Sequence, residues 1–426
     1  MLVIVNIADL HSAYDNYPRL ARVVSDLAES HQRDQLLVLV NGDVFEYGNV
    51  VGSRSEGGPD WLFLERMNEH ARVIVNIGNH EFDFQSPEDF MARAHQAGIK
   101  VIGNIGVEGV DELPRPWIDI EHAGTNVRIV GLATNSLNTY PPACREALEL
   151  PNAAGWLEDN LDNLSANVDH LVIASHAGVH ADRAMLEYLD GDPRVLFMVG
   201  GHNHLLIRET VNDIEYFQNG LKGERVVVAR VSDGEIGMDV DLTTVELDDL
   251  DEVDEPLEKA IDRFKARHLG DKDLETVGYV SHDQPLSEAA LWAVEALRDG
   301  SGVDVVVLNH TSFGSGLSAG SLKRHHFDEF IRFDNNLFEA RIDSQTLESI
   351  LAGTNQHRLT SIQFRSGDFL YASEIKPEPG RTYRLATSAW IADPANQARY
   401  LGTRLEFTPM PGLSTKALLL SALNQG

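Results

Sequence analysis

Five short stretches carry side chains that can hold a divalent ion. They are ADLH with Asp9 and His11, NGDV with Asp43, GNHEFD with Asn79, His80, Glu81 and Asp83, SHAG with His176, and GGHNH with His202 and His204. Imidazole and carboxylate donors of this kind suit Mn, Fe, Zn or Co. Two residues apart, Asp9 and His11 can face one ion from a tight bend, and His202 and His204 can do the same from the opposite side. Gly42, Gly78, Gly200 and Gly201 stand beside them and let the backbone turn closely. A lone histidine in a loop is more often structural, but five such motifs in series point to one shared metal centre.

The elements that must position these residues are legible as apolar runs directly before them: LVIVNIA, LLVLV, RVIVNI, HLVIAS and LFMVGG. Such runs read as buried strands, and amphipathic stretches such as YPRLARVVSDLAES, WLFLERMNEH and PEDFMARAHQAG alternate with them as helices. This is the pattern of an α/β domain, whose ligands gather beyond the carboxyl ends of its strands. Antiparallel-looking runs follow, from LLIRET to IGMDVDLTTVEL. The first domain is expected over 1–248, a linker with a helix opening at Pro256 over 249–275, and a second α/β domain over 276–426.

Composition narrows the function classes. The 426 residues suffice for two or three domains, and 43% hydrophobic with 24% charged residues excludes wholesale disorder. A single cysteine, Cys144, excludes an internal disulfide and a thiolate metal site. The net charge of -31 argues against nucleic acid polymers and anionic membranes as partners. With eight Lys the surface is acidic and Lys-poor. The opening MLVIVNIADLHS lacks a basic n-region and a cleavage site, and no apolar stretch approaches the ~18 residues that span a bilayer. A cytoplasmic protein is expected.

The ordered set Asp-x-His, Gly-Asp, Gly-Asn-His-Glu, His and Gly-His-x-His closely resembles the calcineurin-like metallophosphoesterases. GNHEFD and the two-domain length resemble, more narrowly, the 5'-nucleotidase family. The resemblance implies a four-layer αββα sandwich followed by a smaller α/β domain of the 5'-nucleotidase C-terminal type. It implies that Asp9, His11 and His204 hold one ion, that Asn79, His176 and His202 hold the other, and that Asp43 bridges both. Manganese or zinc is the leading expectation, with iron or cobalt as alternatives. Two divalent ions, two carboxylates and one hydroxide leave about one positive charge toward the substrate, so a phosphate is attracted locally. In the family a histidine at the position of His80 stabilises developing charge or protonates the leaving oxygen, and Asp83 would orient it. Glu81 is expected to fix a ligand's orientation.

The resemblance implies a phosphomonoesterase that would attack a nucleotide, or a similar small phosphate ester, with a metal-activated hydroxide. A 2',3'-cyclic nucleotide phosphodiesterase or a nucleotide-sugar or dinucleotide pyrophosphatase is the alternative, and a non-catalytic metal-binding scaffold the minor one. The second domain departs from the family. Where the family has Asn-Gly-Gly-Gly-Ile-Arg, this chain keeps Asn309, places His310 next, and has Gly314 where the phosphate-binding Arg stands. His310, Arg324 and Arg332 are possible substitutes. The family's base-stacking rings have candidates in IQFRSGDFLY and WIADPANQARYLG, namely Phe364, Phe369, Trp390 and Tyr400, although the Gly-Gly-Asp-Gly turn is absent.

Overall fold

The computed structural model describes residues 1–109, 114–234, 237–359, 361–365 and 367–424. It contains two compact units: Met1–His268 with the segment 361–364, and Leu269–Leu359 with Arg365–Gly426. In the first unit, strands β1 (Leu2–Ile7), β2 (Leu36–Asn41), β3 (Arg72–Asn76) and β4 (Lys100–Ile102) run parallel. Strands β13 (Arg225–Gly234) and β14 (Gly237–Glu246) extend that sheet antiparallel from the β1 edge. A second sheet is built from β6 (Trp117–His122), β7 (Thr125–Ala133), β9 (His170–His176), β10 (Val195–Gly200), β11 (Leu206–Val211) and β12 (Ile214–Asn219), in the order β11-β12-β10-β9-β7-β6. The short strands β5 (Gly106–Val107) and β8 (Leu148–Glu149) pair with each other.

Strands such as LVIVNI and LLVLVN are apolar on both faces because both faces are covered. Leu2, Ile4, Leu37, Leu39 and Ile74 meet Val172, Ala174, Phe197, Val199 and Phe217 of the other sheet in one core. Each such side chain contributes roughly 1.5–3 kcal/mol by leaving water. The outer face of the first sheet carries the helices Tyr17–Ala28 and Gly58–His70, and that of the second carries Ala153–Leu164. The four layers are therefore helix, sheet, sheet and helix. The segment 249–275 contains the helix Glu255–His268, which packs on the helices Tyr17–Ala28 and Gly58–His70 through buried Leu257 and Ile261 and is part of the first unit.

The second unit centres on a five-stranded sheet in the order β19-β16-β20-β18-β21, from β16 (Val305–Asn309), β18 (Asn336–Asp343), β19 (Leu370–Ala372), β20 (Thr382–Thr387) and β21 (Thr408–Ser414). A separate ladder pairs β15 (Thr276–Val280) with β17 (Gly320–Lys323). Among the described residues no helix is long and apolar enough to cross a membrane.

One buried carboxylate links the loop after β1 to the outer helix layer. Asp60, fully buried in the first turn of Gly58–His70, accepts hydrogen bonds from the hydroxyls of Tyr14 and Tyr17, each at 2.7 Å. Burial pushes its carboxyl up to about 7, against the pull of the three hydroxyls around it. The stability that its proton confers is complete below about pH 4 and is lost as pH rises through about 7, where the folded group must ionise. Asp60→Asn should therefore flatten the fall of melting temperature across that window. Fall-offs of equal slope in the two proteins would remove Asp60 as a source of the pH dependence. Asp182, shifted to about 7 for the same first reason, keeps the slope from vanishing.

Candidate metal centre

The loops after β1 and β2 are laced together by their backbones. The amide of Asp9 donates to Gly42 O at 3.1 Å, that of His11 to Asp43 O at 2.9 Å and that of Ser12 to Val44 O at 2.9 Å. This lacing holds backbone conformations that side chains rarely adopt. Asp9, His11, Asp43, His202 and His204 all have positive φ, between 46° and 76°. Left-handed residues other than glycine cost of order 1–3 kcal/mol each and persist only where their surroundings enforce them. Their concentration on the donor residues marks the strand ends as a site rather than as ordinary turns. Space accounts for the neighbouring glycines as much as conformation does. A Cβ on Gly42 would lie 2.4 Å from His176 Nδ1, and one on Gly78 would lie 2.3 Å from Asp43 Oδ1.

Among the described residues three donor groups form: one is His11, Glu46 and His80, and the other two share Asp43. In the first of these two, ligand atoms of Asp9, His11, Asp43 and His204 all lie within 4.8 Å of one another; in the second, those of Asp43, His176 and His202 do. His11 Nε2 and His204 Nε2 face each other at 3.0 Å, with Asp43 Oδ2 3.6 Å from the former and Asp9 Oδ1 3.7 Å from the latter. In the second group His176 Nε2 lies 3.1 Å from Asp43 Oδ2, and Asn79 Oδ1 lies 2.8 Å from His202 Nδ1. Asp43 divides its oxygens. Oδ1 accepts the amides of Asn79 at 2.9 Å and His80 at 3.0 Å, which leaves Oδ2 for the donors of both groups.

The arrangement fits a pair of cations. His176 Nδ1 is engaged by Asn41 O at 2.7 Å, while its fully buried Nε2 makes no hydrogen bond of ordinary geometry, close as Asp43 is. His176 Nε2 and Asp43 Oδ2, 3.1 Å apart, are a nitrogen and an oxygen donor of the kind that a divalent ion would take together. Charge agrees. Burial first, then the neighbouring carboxylates, raise Asp9 and Glu81 to about 7. Burial also opposes charge on Asp43 and His176, yet the facing histidines hold Asp43 well below the usual carboxylate range, and Asp43 and Asp9 raise His176 to about 10. Buried carboxylates that lean on buried imidazoles for charge balance are a donor set suited to divalent ions.

Beside the groups, His80 Nδ1 is held by Asp83 Oδ2 at 2.8 Å, and Asp83 also accepts the amide of Tyr47 at 2.7 Å. Burial would lower the His80 pKa, but Asp83 and Asp43 outweigh it and raise it to about 10. Glu81 touches backbone rather than a donor side chain. Its two oxygens accept the amides of Val44 at 2.9 Å and Gly78 at 2.6 Å, so it ties the Asp43 loop to the Asn79 loop. Sequence reasoning missed Glu46, whose Oε2 lies 3.1 Å from His11 Nδ1 and so turns Nε2 toward the first group. The signal was available as a carboxylate three residues past Asp43, but nothing in the spacing distinguishes it from a solvated charge.

The second unit gathers some of its predicted residues and separates others. Asn309 is occupied with its own turn, donating to Thr311 Oγ1 at 2.6 Å and accepting from Ser312 Oγ at 2.8 Å. His310 stacks on Phe369 with centroids 4.7 Å apart, and both are buried, so neither ring is an open platform. Burial, followed in part by Arg399 and Arg365, lowers the His310 pKa to about 4, which leaves it neutral. Tyr400 places its hydroxyl 3.5 Å from Asp368, which also binds Arg399, while Trp390 is 40% exposed. Phe364 is 72% exposed and groups with the first unit. Of the three candidate cations, Arg332 is the one set against Gly314: a Cβ there would lie 2.8 Å from Arg332 Nε. A cavity of about 590 Å3 is lined by Trp292, Arg358 and Ser373 among others, and none of the predicted residues lines it.

Comparison with known proteins bears on the fold. The family model described as calcineurin-like phosphoesterase matches residues 2–206. An uncharacterised metallophosphoesterase, YunD of Bacillus subtilis (strain 168), is 20% identical over 377 residues, covering 85% of this chain and 79% of its own length. Among solved structures, a 5'-nucleotidase precursor from Thermus thermophilus superposes with a TM-score of 0.70 at 17% identity, covering 100% of this chain and 96% of its own. The sulfate thiohydrolase SoxB of Thermus thermophilus gives 0.71 at 13% identity, with 100% and 94% covered. Residues 2–206 thus match the calcineurin-like phosphoesterase family model, and over its length the chain takes the fold of the solved 5'-nucleotidase structure.

Proposed function

We propose that the chain is a two-metal phosphomonoesterase that releases orthophosphate from a nucleotide or a closely similar small phosphate ester. The observation that carries this reading is the pair of donor groups sharing Asp43, with the His80–Asp83 pair beside them. Asp9, His11, Asp43 and His204 would hold one divalent ion, and Asp43, Asn79, His176 and His202 the other, manganese or zinc being the ions expected. Bound ions would supply an activated nucleophile at neutral pH and positive charge for the phosphoryl oxygens. Asp83 holds Nδ1 of His80, so that Nε2 can carry a proton to the oxygen that leaves phosphorus. A small substrate also suits the charge of the chain, because -31 overall repels polyanions at long range while the metal centre acts within a Debye length of ~8 Å.

The leaving group is the open part of the reading, and Gly314 bears on it. Without an arginine at that position the anion anchor of the second unit would pass to Arg332, which lies against Gly314. A 2',3'-cyclic phosphodiesterase or a pyrophosphatase is the second reading, favoured by the same change, since a diester carries less charge for such an anchor. The test is hydrolysis with Mn2+ of AMP, UMP, a 2',3'-cyclic nucleotide, UDP-glucose and an aryl phosphate, read by chromatographic separation of the products as well as by phosphate release, and run on the native chain and on Arg332→Ala. A monophosphate preference with KM raised about tenfold in the variant is the expected outcome. Faster turnover of the diester or pyrophosphate would overturn the monoesterase reading, and an unchanged KM would remove Arg332 as the anchor.

A further inference from the structure

Between the apolar core of the first unit and its donor groups lies a layer of asparagines. The alternation that points Leu2 and Ile4, Leu37 and Leu39, and Ile74 between the sheets continues to Asn6, Asn41 and Asn76, all fully buried. A leucine would be the cheap residue there, since a buried amide costs free energy unless its hydrogen bonds are made. Asn41 and Asn76 lie opposite each other in register, and their Nδ2 groups donate to acceptors on both sheets. Asn76 Nδ2 donates to Asn41 Oδ1 at 2.8 Å and approaches Leu132 O and Ala174 O, each at 3.1 Å. Asn41 Nδ2 donates to Ser175 O at 2.9 Å and Val199 O at 3.2 Å.

Asn41 thus touches the chain near Asp43, His176 and His202. It stands two residues before Asp43, its Nδ2 holds the residue before His176, and it holds Val199, three residues before His202. Its own carbonyl accepts His176 Nδ1 at 2.7 Å and so selects Nε2 as the atom that faces Asp43. We propose that the Asn41 side chain is a positioning residue for the ion of the second group, fixing His176 and His202 relative to Asp43 by tying the ends of β9 and β10 to β2. The proposal rests on the two-ion reading and concerns a residue that touches neither substrate nor ion.

Calorimetric titration of Mn2+ into the full chain, stripped of metal with a chelator, tests it. The native chain should bind two ions. Asn41→Leu should weaken one of the two events by about 10- to 100-fold and leave the other within about threefold, as loss of an outer partner does at metal sites. Its Co2+ absorption spectrum should change as well. Leu157→Ala removes a fully buried side chain from the helix Ala153–Leu164. It should lower the melting temperature and leave both affinities alone, which separates positioning from general loss of stability. Should Asn41→Leu fail to fold, Asn76→Ala removes the partner of Asn41 Oδ1, together with the approaches to Leu132 O and Ala174 O, and should weaken the same event severalfold. Two native affinities in a folded variant at either position would overturn the proposal. A native chain that binds fewer than two ions would overturn the two-ion reading first and this inference with it.

Discussion

Asp43→Asn should leave a folded chain that has lost turnover by at least about a thousandfold and holds at most one ion. Partners outside the coordination sphere cost 10- to 100-fold at metal sites, so a donor shared by two ions must cost more. The geometry says why an amide of the same shape cannot substitute. Oδ1 of Asp43 must accept two backbone amides, from Asn79 and His80. An asparagine would keep its carbonyl oxygen there, because turning its NH2 toward two N–H groups leaves all of them unpaired. Its NH2 would then stand where Oδ2 now faces His176 and His11, and would present hydrogens to both ion positions. The loop contacts survive, so the fold should too. Metal content by mass spectrometry of the desalted protein and phosphate release decide the matter. Two ions per chain with turnover within tenfold of native would show that Asp43 is not the shared donor.

That such a prediction can be made at one oxygen depends on structure, whereas the candidate itself is legible from the sequence. ADLH, NGDV, GNHEFD, SHAG and GGHNH can be read because each follows an unbroken apolar strand, so each donor residue is fixed in its loop by the strand before it. The parallel strands and their helices are legible for the same reason, burial on a regular period. What holds the donors is less visible. Glu46, Glu81 and Asp60 act on groups that the order of the chain does not bring to mind: a ring 35 residues earlier, two loop amides and two phenols. The asparagines at the ends of β1, β2 and β3 form a pattern in plain sight, but an isolated Asn at a strand end reads as a turn former. An aromatic in an irregular segment gives no sign of which way it faces. Phe369 lies under His310 while Phe364 stands in solvent, and both come from one short run of sequence.

His80→Asn separates catalysis from metal binding, because His80 is next to a donor without belonging to either of the two groups that share Asp43. The variant should bind both ions as the native chain does and lose about 10²- to 10⁴-fold in kcat, the usual contribution of a positioned acid. The size of the loss should depend on the leaving group. An alkoxide released from a nucleoside needs a proton as the bond to phosphorus breaks, whereas an aryl oxide leaves without one, so the defect should shrink toward about tenfold for an aryl phosphate with an acidic phenol. Asp83→Asn should lie between native and His80→Asn, since it spares the imidazole and loosens only the 2.8 Å contact that orients it. A loss equal for both leaving groups would assign His80 to binding the phosphoryl oxygens instead of to the proton. Undiminished turnover of both substrates would take His80 out of the reaction, and a loss of bound metal would make it a ligand, as its place in a third cluster with His11 and Glu46 also allows.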